Sequence, residues 1–361
     1  MPQTLPRTVA GTSRWTIVAR IPHHYKPTGR YGNGTGRSAS AGVRHGPCVP
    51  RGERCCVSLR RVAGSVGSRR RLFRAFPSRA KSEVETQPTG SDVRRRAPDP
   101  YRSAADHSAA GALLFARYAY PPNELGYCGS SDSRALIEYG AASVVDPGLV
   151  QLAQAFAGAW PYLELIAGAV GIPDPLDRRV VEAYWVGNPL LDRVDMELFG
   201  RSLMERFRRV SGGAWGHLAE AIPAGAVPHH SFHVFGVYPW VGLLGSDRGE
   251  TPLHVLDRCR IRWGRVVETI GDQLVVLSRP LTWDGRRVGL GPPRAETVAR
   301  ATDGLAFLAD VGAGDWVSMH WGWVCDRLSD RTLRALRSYT VRQLTITNDR
   351  VSHPGPAMAL S

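Results

Sequence analysis

The sequence predicts an α+β protein: a disordered, basic N-terminal arm, a mainly α-helical middle region, and a small antiparallel β-barrel followed by a C-terminal helix. Three observations predict it. Charge is segregated along the 361 residues, apolar residues recur at helical spacing through the middle, and the period changes to that of strands near Leu253.

The net charge of +14 belongs to the arm. Residues 1–110 hold 21 Lys and Arg against 6 Asp and Glu, whereas residues 111–361 hold 25 against 26. Residues 1–107 are dominated by Pro, Gly, Ser and Arg, with isolated aliphatics and no sustained period, and such a chain buries too little apolar surface to fold. The arginine runs 69–71 and 94–96 could neutralise phosphates. Alternatively, 19 Arg against 2 Lys is the bias of a GC-rich genome, and the arm is upstream sequence read from a start codon placed too early. No apolar run reaches the ~20 residues that span a bilayer. Six scattered cysteines make no disulfide framework, so the expected compartment is the cytoplasm.

Residues 108–250 read as the helical domain. Apolar spacing predicts helices over 133–145, 149–170, 176–185 and 196–209. Pro121-Pro122, Asp146-Pro147-Gly148, the 171–175 segment and Gly187-Asn188-Pro189 are expected to stop helices, because proline removes a backbone donor and clashes with the preceding turn. Glu182, Asp192 and Asp195, interspersed with Arg178, Arg179 and Arg193, predict solvated helix faces.

Residues 253–348 read as the barrel with its helix. Cys259-Arg260-Ile261-Arg262-Trp263 alternates, Gly271-Asp272 and Asp284-Gly285 supply hairpin turns, and residues 315–321 form another half-buried strand. Strands this short and close predict a small, OB-like barrel. Ser329 is a plausible N-cap for a helix carrying Leu333, Leu336, Tyr339 and Leu344, and residues 349–361 read as a flexible tail.

Two blocks carry a family resemblance. The first is Cys259-Arg260-Ile261-Arg262-Trp263-Gly264-Arg265-Val266; the second is Gly314-Asp315-Trp316-Val317-Ser318-Met319-His320-Trp321-Gly322-Trp323-Val324. With the two hairpins between them and the helix after them, residues 255–345 resemble the HypC/HupF family of nickel–iron hydrogenase maturation chaperones. The helical region before them looks like part of an uncharacterised hydrogenase-associated actinobacterial family. Three features depart from the family pattern: Cys259 is internal rather than next to the initiator Met, Trp263 stands where a Pro is usual, and the loop 291–313 is longer.

The resemblance implies that Cys259 is an iron ligand and His320 its helper, holding iron as a transiently carried Fe(CN)2(CO) unit. A soft thiolate and an imidazole suit such iron, and Arg258, Arg260 and Arg262 would favour the thiolate and compensate the cyanides. Other readings stay open at both positions: Cys259 as a small buried hydrophobe, His320 as a barrel histidine with a satisfied hydrogen bond. Weaker metal-ligand candidates are His229, His230 and His233, at i, i+3 and i, i+4 spacing, and Cys128 in the Gly/Pro/aromatic loop 120–129. Cys325 reads as core. The tryptophans at 263, 283, 316, 321 and 323 offer either a partner surface or barrel core.

Phosphate-loop, nucleophile-elbow, His-Glu-x-x-His and Cys-x-x-Cys patterns are missing, so a non-enzymatic role is expected. The expectation is a chaperone that presents iron to a hydrogenase large-subunit precursor, working with the iron-delivery scaffold of the maturation machinery and without a membrane. The alternative is a nucleic-acid-binding module using the small barrel and the basic arm.

Overall fold

A computed structural model describes residues 103–207, 222, 224–238, 240–245 and 250–352. The readings made for residues 1–102 and for the tail from 353 lie outside the described residues.

Helix α1, Ala104–Glu124, opens on a capping box: the Ser103 hydroxyl accepts from the Asp106 N–H, and the Asp106 carboxylate accepts from the Ser103 N–H. It begins within the stretch assigned to the arm. It also runs through Pro121 and Pro122, where a stop was expected. Both prolines fall in its last turn, so their missing N–H groups strip partners only from the carbonyls four residues back, those of Arg117 and Tyr118, while the N–H of the C-cap residue Leu125 still reaches the Pro121 carbonyl.

The layer continues as α2 (Ser133–Ala142), α3 (Pro147–Gln154), α4 (Trp160–Val170), α5 (Arg178–Trp185) and α6 (Met196–Phe207). The single helix expected over 149–170 is broken between α3 and α4, because Pro161 cannot continue a helix but is accepted in the first turn of a new one. Glu182 corrects another expectation. Its carboxylate is buried and takes a two-pronged ion pair from Arg331, at 2.8 and 2.9 Å, pinning α5 to the C-terminal helix Asp330–Ser352. Ser329 caps that helix through Thr332 N–H, 3.2 Å from its hydroxyl.

Among the described residues, nine strands follow a short helix, Thr251–Cys259: β1 (Arg262–Ile270), β2 (Gln273–Ser278), β3 (Leu281–Trp283), β4 (Val288–Leu290), β5 (Arg294–Ala299), β6 (Ala301–Thr302), β7 (Leu305–Ala306), β8 (Trp316–His320) and β9 (Trp323–Arg327). Five of them close in the order β1-β2-β5-β9-β8, with β8 returning to β1. Four of the five pairings are antiparallel as expected. The fifth, β5 with β9, is a single parallel bridge, Ala299 to Trp323, since strand directions cannot alternate around a ring of odd number. Strand β5 lies in the stretch read as a long loop.

The barrel interior is aliphatic: Val266, Leu274, Val276, Val298, Val317, Met319 and Val324. A larger core joins the barrel to the helices, with Phe115, Tyr118 and Trp185 packed in one cluster with Ile261, Trp263, Trp323, Cys325 and Leu336. All described residues belong to one compact unit. Trp263 and Trp323 are buried, and Trp283, Trp316 and Trp321 are half-buried, so these rings serve packing first.

Candidate metal centre

Cys259 ends the short helix, three residues before the expected strand becomes regular at Arg262, and His320 ends β8. The helix-to-strand corner and the β8–β9 turn bring them together, and His230 joins from the helical side. The Cys259 sulfur and one ring nitrogen from each histidine all lie within 4.8 Å of one another. The place is at the outer face of the barrel, against α1 and α5, and not across the barrel interior. His320 turns toward the Tyr118 carbonyl and the Trp185 ring, away from Val317 and Met319.

Hydrogen bonds fix the chemistry of each ring. His320 Nδ1 is 2.8 Å from the carbonyl oxygen of Tyr118. A carbonyl only accepts, so the proton sits on Nδ1 and Nε2 carries a lone pair. That Nε2 is buried and has no hydrogen-bond partner. The carbonyl is available because Pro122, four residues on, has no N–H to donate to it. Burial, reinforced by the adjacent His230, holds the His320 pKa well below the ordinary value of 6.5, so the ring is neutral as a metal ligand must be.

His230 donates through Nε2 to the Cys259 carbonyl at 2.9 Å, and its Nδ1 faces the Tyr184 hydroxyl at 3.2 Å. Burial lowers its pKa to about 4. It would join a metal by exchanging one of these bonds for a coordination bond. The other two histidines of the cluster take other partners. His229 caps the turn His230–Phe232 by accepting from Ser231 N–H at 3.0 Å and stacks on Tyr339. His233, starting the π-turn His233–Val237, meets Tyr162 at 3.4 Å and packs on Tyr238. His233 stays beside His230, ring centroids 6.3 Å apart, but its Nδ1 is turned to the Tyr162 hydroxyl.

The electrostatics at Cys259 correct one expectation. The flanking arginines are already paired: Arg258 and Arg262 with Glu296, Arg260 with Asp257. Burial therefore decides, and the thiol is pushed up rather than down, with only the Trp321 indole acting the other way. Trp321 holds a left-handed φ of 50°, rare for a large side chain, and its ring is stacked by Tyr127 at 4.4 Å. Exposures of 8% for Cys259, 5% for His230 and 1% for His320 show a closed site.

Cys128 is half-buried in the loop after α1, outside the 4.8 Å triplet, and Cys325 is core, its thiol 3.7 Å from the Trp323 carbonyl. Sequence reasoning missed Tyr118, Pro122, Tyr184 and Trp185, which orient the two rings. The signal for the first pair was present: two prolines in an otherwise helical stretch mark carbonyls released for other donors.

The donor set fits a transition metal ion, since an orphaned imidazole lone pair and a thiol face one point. A unit bearing three diatomic ligands needs more room. Cavities of about 450 Å³, at Glu164 to Pro175, and about 220 Å³, at Leu191 to Arg342, lie elsewhere.

No helix among the described residues is long and apolar enough to cross a membrane. Neither the curated proteins nor the solved structures contain a match to the chain. Residues 107–354, however, match a family of unknown function, DUF6390, and the chain is a member of that family.

Proposed function

We propose that this protein holds one transition metal ion at Cys259, His320 and His230 and acts in metallocentre assembly. One observation carries the reading: Cys259 and His320, 61 positions apart, reach a common point where His320 Nε2 is buried without a partner. In the HypC-like form of the proposal the metal is iron, received from an iron-delivery scaffold as Fe(CN)2(CO) and presented to a nickel–iron hydrogenase large-subunit precursor. The work is binding and transfer, without turnover. For such cargo to enter or leave, Trp321 must move, because it packs on the cluster that contains Cys259 and is itself stacked by Tyr127. The nucleic-acid reading draws no support from Arg260 and Arg262, which are buried against Asp257 and Glu296.

The test is anaerobic purification of the full chain from cells expressing the maturation machinery. Near one iron per chain, infrared bands of bound cyanide and carbon monoxide, and co-purification of the large-subunit precursor are expected, all lost in Cys259→Ser. Metal without those bands would keep the metal site and remove the hydrogenase cargo. A metal-free chain under every loading condition would remove both.

A further inference from the structure

Resting on the metal site just proposed, the turn between β8 and β9 carries a further step. We propose that the Trp321 side chain is the gate of that site: its rotation lets a metal ion in and out, so it sets the rate of exchange and not the affinity.

The first argument is place. Trp321 follows His320 directly, and its backbone N–H donates to the carbonyl of Arg258, the residue before Cys259, at 2.9 Å. Two of the three ligands therefore bracket it, and its ring packs on the cluster that contains Cys259. The walls on the histidine side are fixed. Tyr118, Tyr184 and Trp185 are buried on α1 and α5, and to open there would unpack the core that joins the helices to the barrel. Trp321, by contrast, is half-buried.

The second argument is the choice of residue. His320 and Trp323 pair across a two-residue turn whose central residues, Trp321 and Gly322, both hold positive φ, 50° and 81°. Asn-Gly fits such a turn without strain, whereas tryptophan in its first position does not. The turn gains nothing from an indole, so the strain points to a demand made by the site beside it.

The third is that the closed position is weakly held. The indole N–H is buried without a hydrogen-bond partner, a cost that rotation into water removes. Against that stands the stack with Tyr127, at 4.4 Å and 17°, and Tyr127 is itself 39% exposed. Neither backbone has to move: Tyr127 N–H donates to the Pro122 carbonyl at 2.9 Å, and Trp321 N–H to that of Arg258. The moving part is the Trp321 side chain alone.

Two probes read the gate in the full chain carrying Cys48→Ser, Cys55→Ser and Cys56→Ser, which removes competing thiols. Iodoacetamide, applied without metal, reports access to Cys259: the sulfur displaces iodide, the thiol proton leaves to solvent, and peptide mass spectrometry follows the product. Cobalt(II), added anaerobically and then withdrawn by a chelator, gives entry and release rates through its sulfur-to-cobalt absorption. Trp321→Asn should raise all three rates by about tenfold or more, because a minor open state, populated about 0.1–10% of the time, becomes the permanent one. The cobalt dissociation constant should stay nearly unchanged and the urea midpoint should not fall. Trp321→Phe, which keeps a ring and loses the indole N–H, should stay close to the parent, and Tyr127→Ala should lie between. Unchanged alkylation in both Trp321→Asn and Tyr127→Ala would overturn the gate and leave the metal site standing. So would rates that rise only with a lowered urea midpoint, cobalt release that rises with an equal loss of affinity, or Trp321→Phe as fast as Trp321→Asn. A parent chain that binds no cobalt through sulfur would overturn the metal site on which the gate rests.

Discussion

His320 and Tyr118 stand 202 positions apart and are joined by one hydrogen bond, imidazole Nδ1–H to carbonyl oxygen at 2.8 Å. The acceptor exists because Pro122 withholds the N–H that a helix would normally place there. A proline near the end of α1 thus sets the tautomer of a histidine on the barrel, and the tautomer decides which nitrogen can meet a metal.

Pro122→Ala returns an N–H to that carbonyl and makes it compete with His320. Restored helix bonding and lost proline packing offset each other, so the urea midpoint should move by the equivalent of about 1 kcal/mol or less. Cobalt affinity should fall by about tenfold as the ring loses its anchor. Unchanged affinity would separate the tautomer from metal binding.

His320→Asn keeps an amide N–H near the place of Nδ1 and deletes Nε2. The Tyr118 carbonyl stays satisfied, so the loss of stability should be about 1–3 kcal/mol, while metal uptake disappears. His320→Ala should cost more, because it orphans the carbonyl and leaves a cavity beside Trp185. Equal losses in the two variants, measured by urea unfolding, would show that the hydrogen bond contributes nothing.

Gly111 is where α1 meets the start of α5: a Cβ there would stand 1.8 Å from the Leu176 carbonyl oxygen. Backbone cannot give way as a side-chain end can. Gly111→Ala should therefore lower stability by about 3 kcal/mol, despite the better helix propensity of alanine. A melting temperature equal to that of the parent would mean that the two helices are not so closely packed.

Glu296 gives an acid-dependent contribution. Burial would raise its carboxyl, but Arg262, the Ser278 hydroxyl and Arg258 outweigh it and hold the pKa below the ordinary 4.5. A pKa lowered on folding contributes stability that is complete above about 4.5 and is lost as pH falls through the lowered value. Glu296→Gln should cost about 1–3 kcal/mol at pH 7 and less near pH 3. Urea midpoints across that range check it; a constant difference would refute the ion pair as its source.

What the sequence makes legible here is local chemistry. Gly271-Asp272 and Asp284-Gly285 mark real hairpin turns, and Ser329 a real cap, because each needs only neighbouring residues. Strand β5 is illegible for the opposite reason. Of Arg294–Ala299 only Val298 is fully buried, so no alternation shows, and its place is assigned by pairing with β2. Cys259 and His320 are readable as a pair from spacing within a resemblance. His230 is not distinguishable from His229 and His233 until the fold gives each ring its own partner, the Cys259 carbonyl, the Ser231 N–H and the Tyr162 hydroxyl respectively. The fate of the arginines around Cys259 depends on Glu296, 34 positions from Arg262 and invisible as its partner in the sequence.

A cylinder of five staves has a seam, here the lone bridge from Ala299 to Trp323. Solvent deuterium should enter along it before it reaches the amides between β1 and β2, where six residue pairs are in register. The seam is braced from outside: Tyr120 of α1 sets its ring edge-on to Trp323 at 5.0 Å, and Phe307, itself 5.7 Å from Tyr120, packs on the same ring at 5.9 Å. The end of α1 therefore works as a hoop around the barrel, and loosening it would let the cylinder unroll into a sheet with two bare edges.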